Sequence, residues 1–281
     1  MRYITDSETS LLEVLKKNFP DSSTNTLRSW IKQGRIQVDG IPIKKGSTQL
    51  TKGQEVTLSS RKKWVEGGIE ILFEDQDIVV IHKPCGLLSV ATDIEKEETA
   101  HAYLKNYYNP RRVFVVHRLD QDTSGVMLFA LNEPAMEKLK KTFEKHEIER
   151  RYVAIVEGAF EEDQGTWQSH LYEDLRYVMH STEIPEKGEL AITHYQLMDK
   201  TTRYSWLDCR LETGKKNQIR VHCQDAGHPV VGDKKYGSEL NPVKRLCLHA
   251  RLLDFAHPVS GKQMHFEVPV PEDFYRLIPR R

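Results

Sequence analysis

His117-Arg118-Leu119-Asp120-Gln121-Asp122-Thr123-Ser124-Gly125 is a polar-rich run of nine residues held between two apolar ones. Val113-Phe114-Val115-Val116 precedes it and Val126 to Ala130 follows it. Short apolar runs closed by turn residues read as buried strands. A loop fixed between rigid strands is where chemistry is usually placed. A third run, Ile78-Val79-Val80-Ile81, ends at His82-Lys83-Pro84-Cys85-Gly86, a turn rich in Pro and Gly. The nine-residue loop is therefore the first place to look for function.

The loop reads HRLDxxTSG, and that pattern resembles the signature of the RluA-type pseudouridine synthases at all seven fixed positions. Odds on the order of 10⁻⁹ per starting point make a chance match negligible. The resemblance continues in order along the chain. Arg151-Tyr152-Val153-Ala154-Ile155-Val156-Glu157-Gly158 is similar to the family's second motif. Thr213-Gly214-Lys215-Lys216-Asn217-Gln218-Ile219-Arg220-Val221-His222, with Gly227-His228-Pro229 and Gly232-Asp233-Lys234-Lys235-Tyr236-Gly237, is similar to the third. Leu248-His249-Ala250 through His257-Pro258 resembles the closing hairpin. The family usually has Arg and His in TGRxHQ, where this chain has Lys215 and Asn217. The resemblance implies an α+β catalytic domain with a central mixed, mostly antiparallel sheet flanked by helices. It implies isomerisation of uridine in structured RNA, with large-subunit ribosomal RNA as first substrate and transfer RNA as second. The competing reading, from another class, is a non-catalytic RNA-binding or assembly factor.

That reaction breaks the glycosidic C1′–N1 bond, turns the uracil and rejoins it through C5. It needs a carboxylate, ionised at working pH, as nucleophile or base. Asp120 is the expected one, since its ordinary pKa near 3.9 keeps it charged and an Arg partner would favour that form further. Arg220 is the expected partner. Strand alternation in Gln218-Ile219-Arg220-Val221-His222 would put Ile219 and Val221 on one face, leaving Arg220 and His222 on the other, toward the cleft. A flipped base also needs a platform, because extrusion costs a few kcal/mol and stacking returns roughly 1 to 3 kcal/mol. Tyr152 matches the family's tyrosine, which implies stacking on uracil and help in removing the C5 proton. RNA contacts are expected from Arg118, which the resemblance places around the flipped nucleotide, and from His117, Lys83, Lys215 and Lys216. Nothing is oxidised and no nucleotide is hydrolysed, so no metal or organic cofactor is expected.

Other readings fail on residues. No GxSxG is present, Gly214-Lys215-Lys216 lacks the rest of a phosphate loop, and His146-Glu147-Ile148-Glu149-Arg150 ends in Arg where a zinc protease helix needs His.

Composition adds a second module. The 281 residues carry 41 Lys+Arg and 41 Asp+Glu, yet residues 1 to 65 hold twelve cations against six anions, an excess of +6 that the remainder cancels. With Arg61-Lys62-Lys63-Trp64-Val65-Glu66-Gly67-Gly68 this predicts domains at 1–62 and 69–281 joined by a linker at 63–68. Leu11, Leu12, Val14, Leu15 and Phe19 recur at helical spacing before Pro20, and Ser22 or Ser23 can cap a second helix that Gly34 closes. Arg28 and Lys32 lie one turn apart on it, with Arg35 just beyond, so that three cations can share one RNA-binding face. An Asp39-Gly40 hairpin follows, and the pattern resembles an S4 RNA-binding domain over about residues 9 to 60. The longest apolar run, Val126 to Leu131, is far below the roughly 18 residues of a spanning helix. Four scattered cysteines without CxxC argue against secretion, a disulfide framework or structural zinc, so a cytoplasmic location is the default; a monomer without membrane or metal is also expected.

Overall fold

In a computed structural model, residues 2–32, 34–58 and 63–279 are described. The chain divides into two compact units at residues 62 and 63. In the first, strands β1 (Arg2–Ile4), β3 (Ile36–Val38), β4 (Ile41–Pro42) and β6 (Glu55–Leu58) form a sheet in the order β1-β6-β3-β4, and β2 (Thr9–Ser10) pairs with β5 (Gln49–Leu50). Helices α1 (Leu11–Asn18) and α2 (Thr24–Lys32) pack Leu11, Leu15, Leu27 and Ile31 against Ile36, Leu50 and Val56. Ser10 and Ser23 accept N–H bonds from Glu13 and Thr26, the caps that start the two helices. Asp39 and Gly40 both take positive φ, as the tight β3–β4 turn requires.

The second unit is built on one twelve-stranded sheet. Its strands are β7 (Lys63–Val65), β8 (Ile69–Glu74), β9 (Ile78–Lys83), β10 (Phe114–Val115), β11 (Ser124–Ala130), β12 (Glu149–Glu157), β13 (Gln164–Glu173), β14 (Met179–Thr182), β15 (Glu189–Lys200), β16 (Tyr204–Leu211), β17 (Leu248–Ala256) and β18 (Gln263–Glu267). The order is β14-β13-β15-β16-β12-β17-β11-β9-β8-β7, with β10 on β11 and β18 on β17. Of these pairings among the described residues, only β11 with β17 is parallel. Helices α3 (Ala100–Tyr108), α4 (Glu133–Glu144) and α5 (Gln218–Asp225) flank it. The apolar runs at 78–81 and 126–130 are continuous because both sheet faces are covered. Val79, Ile81, Met127 and Phe129 enter one core, while Ile78, Val80, Val126, Leu128 and Ala130 enter another with Ala135 and Leu139 of α4.

Two expectations change. Residues 63–68 are no linker: Lys63–Val65 is the edge strand paired with Ile69–Ile71, and a 3-10 turn at Glu66–Gly68 joins the two. Val65 is buried there, so the strand is held by apolar packing as well as by its ladder. The preceding Arg61 and Lys62 lie outside the described residues. Gln218–His222 is not a strand but the start of α5, and residues 218–223 are all buried.

Candidate active site

Asp120 sits in the loop between β10 and β11, and the loop is pinned at several points. Ser89 Oγ donates to Leu119 O (2.6 Å) and accepts from Leu119 N–H (3.1 Å). Lys83 is fully buried, and its ammonium donates to the carbonyls of Pro84, Leu87 and Gln121 at 2.6 to 2.9 Å. Burial lowers its pKa to about 8. Lys83 therefore does not reach RNA, contrary to expectation; it spends all three donors on the backbone beside Asp120. Behind the loop, Ser124 Oγ meets His249 Nδ1 of β17 at 2.8 Å and accepts from Arg245 at 2.6 Å. Gly125 lets these strands meet, since a Cβ there would lie 2.1 Å from Ala250 O.

His117 is also not a cationic RNA contact. Its Nε2 accepts from Leu128 N–H at 2.9 Å, its ring stacks on Phe143, and burial lowers its pKa to about 3. It is a neutral ring in the wall.

Asp120 and Tyr152 line one cavity of about 610 Å³, together with Arg118, Thr123, Phe143, Arg150, Lys215 and Asn217. That is ample for a nucleotide. Tyr152 is 8% exposed, and burial raises its pKa, so the phenol is neutral. Arg220 is not in the cavity wall but lies behind Asp120. Its Nη1 donates to Asp120 Oδ2 at 3.4 Å and to Asn217 Oδ1 at 3.0 Å. Its Nε and Nη2 form a fork on Asp233 at 2.6 and 2.8 Å, and the guanidinium lies over Tyr236. Asn217, in the left-handed region at the α5 N-terminus, donates to Tyr236 Oη at 2.9 Å. The fork commits most of Arg220's charge to Asp233. Burial consequently raises the Asp120 pKa above the ordinary carboxylate value, with Arg220 pulling against it.

Of the remaining expected contacts, Arg118 and Lys215 line the cavity and the others lie elsewhere. Arg118 is exposed at the cavity. Lys215 pairs with Glu189 at 2.8 Å, and Lys216 pairs with Glu173. In the first unit Arg28 and Lys32 line a shallow depression with Lys44, while Arg35 packs over Trp30 at 5.1 Å instead of completing that face. Sequence reasoning missed Asp233, Asn217 and Arg150 as site residues. Asp233 and Asn217 had a signal, both lying in the third motif; Arg150 had none beyond its place two residues before Tyr152. Elsewhere, Asp75, Asp77 and His257 bring possible metal ligands within 4.8 Å of one another. Asp75 is already engaged by the N–H groups of Asp77 and Ile78 and by His257.

Comparison with known proteins points to one family. A sequence profile of the RNA pseudouridylate synthase family matches residues 77–225, and one of the S4 domain matches residues 10–56. The chain is 32% identical to ribosomal large subunit pseudouridine synthase D of Escherichia coli (strain K12), covering 95% of this chain and 88% of the relative. It is 31% identical to an RNA pseudouridine synthase of Bacillus subtilis (strain 168), covering 92% and 89%. Among solved structures, human RNA pseudouridylate synthase domain containing 4 superposes with a TM-score of 0.60 at 22% identity, over 74% of this chain and 92% of that one.

Proposed function

The chain belongs to the RNA pseudouridylate synthase family, and on that premise we propose that Asp120 is the nucleophile with which it isomerises uridines of large-subunit ribosomal RNA. The observation that carries this is Asp120 at the cavity beside Tyr152, with Arg220 held behind it by Asp233. The Asp120 carboxylate displaces uracil at C1′, and the electron pair of the C1′–N1 bond stays on the base. The ring turns, C5 takes the C1′ position, and the carboxylate is released. C5 then gives up its proton and N1 regains one, so that no atom is gained or lost overall. Tyr152 supplies the stacking face for the extruded base and relays the C5 proton through its hydroxyl. Arg220 favours the ionised form of Asp120 that must attack. With ribosomal RNA as substrate the reaction belongs in the cytoplasm, and the basic first unit adds attraction to phosphate.

The substrate assignment rests on the relatives' names and the S4 match. C5 loses its hydrogen in the reaction, so unmodified RNA carrying tritium at C5 of uridine reports turnover directly. Release from large-subunit ribosomal RNA and not from transfer RNA is the expected result. Release from transfer RNA alone would move the substrate, and none from either would favour a binding factor.

A further inference from the structure

Arg150 is the second residue of the strand that carries Tyr152 and lines the same cavity. It is 8% exposed, and a guanidinium stays charged under all ordinary conditions. Its Nε has no hydrogen-bond partner among the described residues, and the bond from its Nη2 to Glu212 O is long at 3.3 Å. No carboxylate among the described residues pairs with it, although Glu144 lines the cavity too. The Phe143 ring, 5.8 Å from its guanidinium carbon, gives a face but no counter-charge. Room for the group is built in: a Cβ on Gly214 would stand 2.3 Å from Arg150 Nη1. Burying a cation without a partner is costly, and a fold keeps one where a ligand supplies the missing anion.

We propose that Arg150 is an anion-binding residue of the cleft and takes a backbone phosphate of the RNA beside the flipped nucleotide. This rests on the reading that the cleft receives RNA. RNA brings one phosphodiester per nucleotide, and a planar guanidinium offers two parallel N–H donors to its oxygens. The contact would hold the strand while Asp120 acts on the sugar. Arg150 is then a substrate-binding residue distinct from Arg220, whose charge is already answered by protein carboxylates.

The test uses the full chain and unmodified transcripts of large-subunit ribosomal RNA, with affinity measured across a salt series. Arg150→Met should weaken binding about tenfold, as removal of one charge-assisted hydrogen-bond pair does, and lower the slope of log K against log salt by about 0.7. Arg150→Lys should retain most of that slope. Thermal unfolding separates ligand binding from structure. With a desolvated charge removed, Arg150→Met should melt at the same temperature as wild type or higher. An unchanged salt slope in folded Arg150→Met overturns the proposal, as does a lowered melting temperature with normal RNA affinity. Wild type that binds RNA without releasing tritium would refute the isomerase reading and leave this one standing. Normal turnover with an unaltered slope in Arg150→Met would do the reverse.

Discussion

Two buried arginines stand at this cleft, and they are built in opposite ways. Arg220 has a carboxylate fork, an amide oxygen, an aromatic face and the Asp120 carboxylate around it, while Arg150 has one long bond to a carbonyl and the Phe143 ring. The first is part of the folded protein's own electrostatics and fixes where Asp120 lies. The second is left for something that arrives. A positive charge at a cleft thus says little until its partners are known: a satisfied one positions, an unsatisfied one recruits.

The contrast between the two is most exposed at Asp120. Asp120→Asn removes the group that Arg220 serves, and turnover should fall on the order of 10⁴-fold while RNA affinity stays within about twofold of wild type. Tritium release and equilibrium binding together check this, and comparable losses in both would mean a binding role. Next is the anchor. Asp233→Asn leaves a buried guanidinium half-answered and should cost about 3–5 kcal/mol in denaturant unfolding. Since Arg150→Met should cost nothing in the same measurement, equal behaviour of the two variants would erase the distinction between a positioning arginine and a recruiting one.

Smaller in effect is the pH profile. Burial raises the folded Asp120 pKa, so the needed carboxylate is lost as pH falls through that raised value. The rate should drop about tenfold per pH unit on that limb, which lies above the ordinary ~3.9. Arg220→Gln removes the opposing charge and should move the limb to still higher pH; a limb that does not move would mean that Arg220 leaves Asp120 untouched. The least effect on turnover is expected far from the cleft. Arg28→Ala with Lys32→Ala should lower the salt slope of RNA binding by about 0.7 for each phosphate no longer neutralised, with kcat unchanged. A normal slope would mean that α2 does not touch RNA.

Much of this was legible in the residues. Caps, apolar spacing and the Asp-Gly turn gave the first unit, and the continuous apolar runs gave the core strands, because each is a local rule acting on neighbours. The reading of Asp120 rested on a contiguous loop. What escaped depended on context. Five residues at 218–222 satisfy strand alternation, but helix α5 buries every one of them, so periodicity carried no information there. Lys83 looked like a surface cation because nothing in a lysine's identity announces that three carbonyls will converge on it. Asn217 stood out only as a departure from the family pattern, and it bridges Arg220 to Tyr236. Residues 63–65 seemed to belong to a basic connector, yet the apolar Val65 among them seats an edge strand.

The parallel pairing of β11 with β17 also sets an order of events in the life of each molecule. Ser124 meets a partner 125 positions further on, and Asp120 meets one 100 positions on. During synthesis Asp120 leaves the ribosome long before the segments that fix it, and such distant pairings close late because loop entropy must be overcome first. A chain cut short before β17 therefore carries the whole nine-residue loop and no working site. The loop gains its full support only when β17 takes its place between β12 and β11.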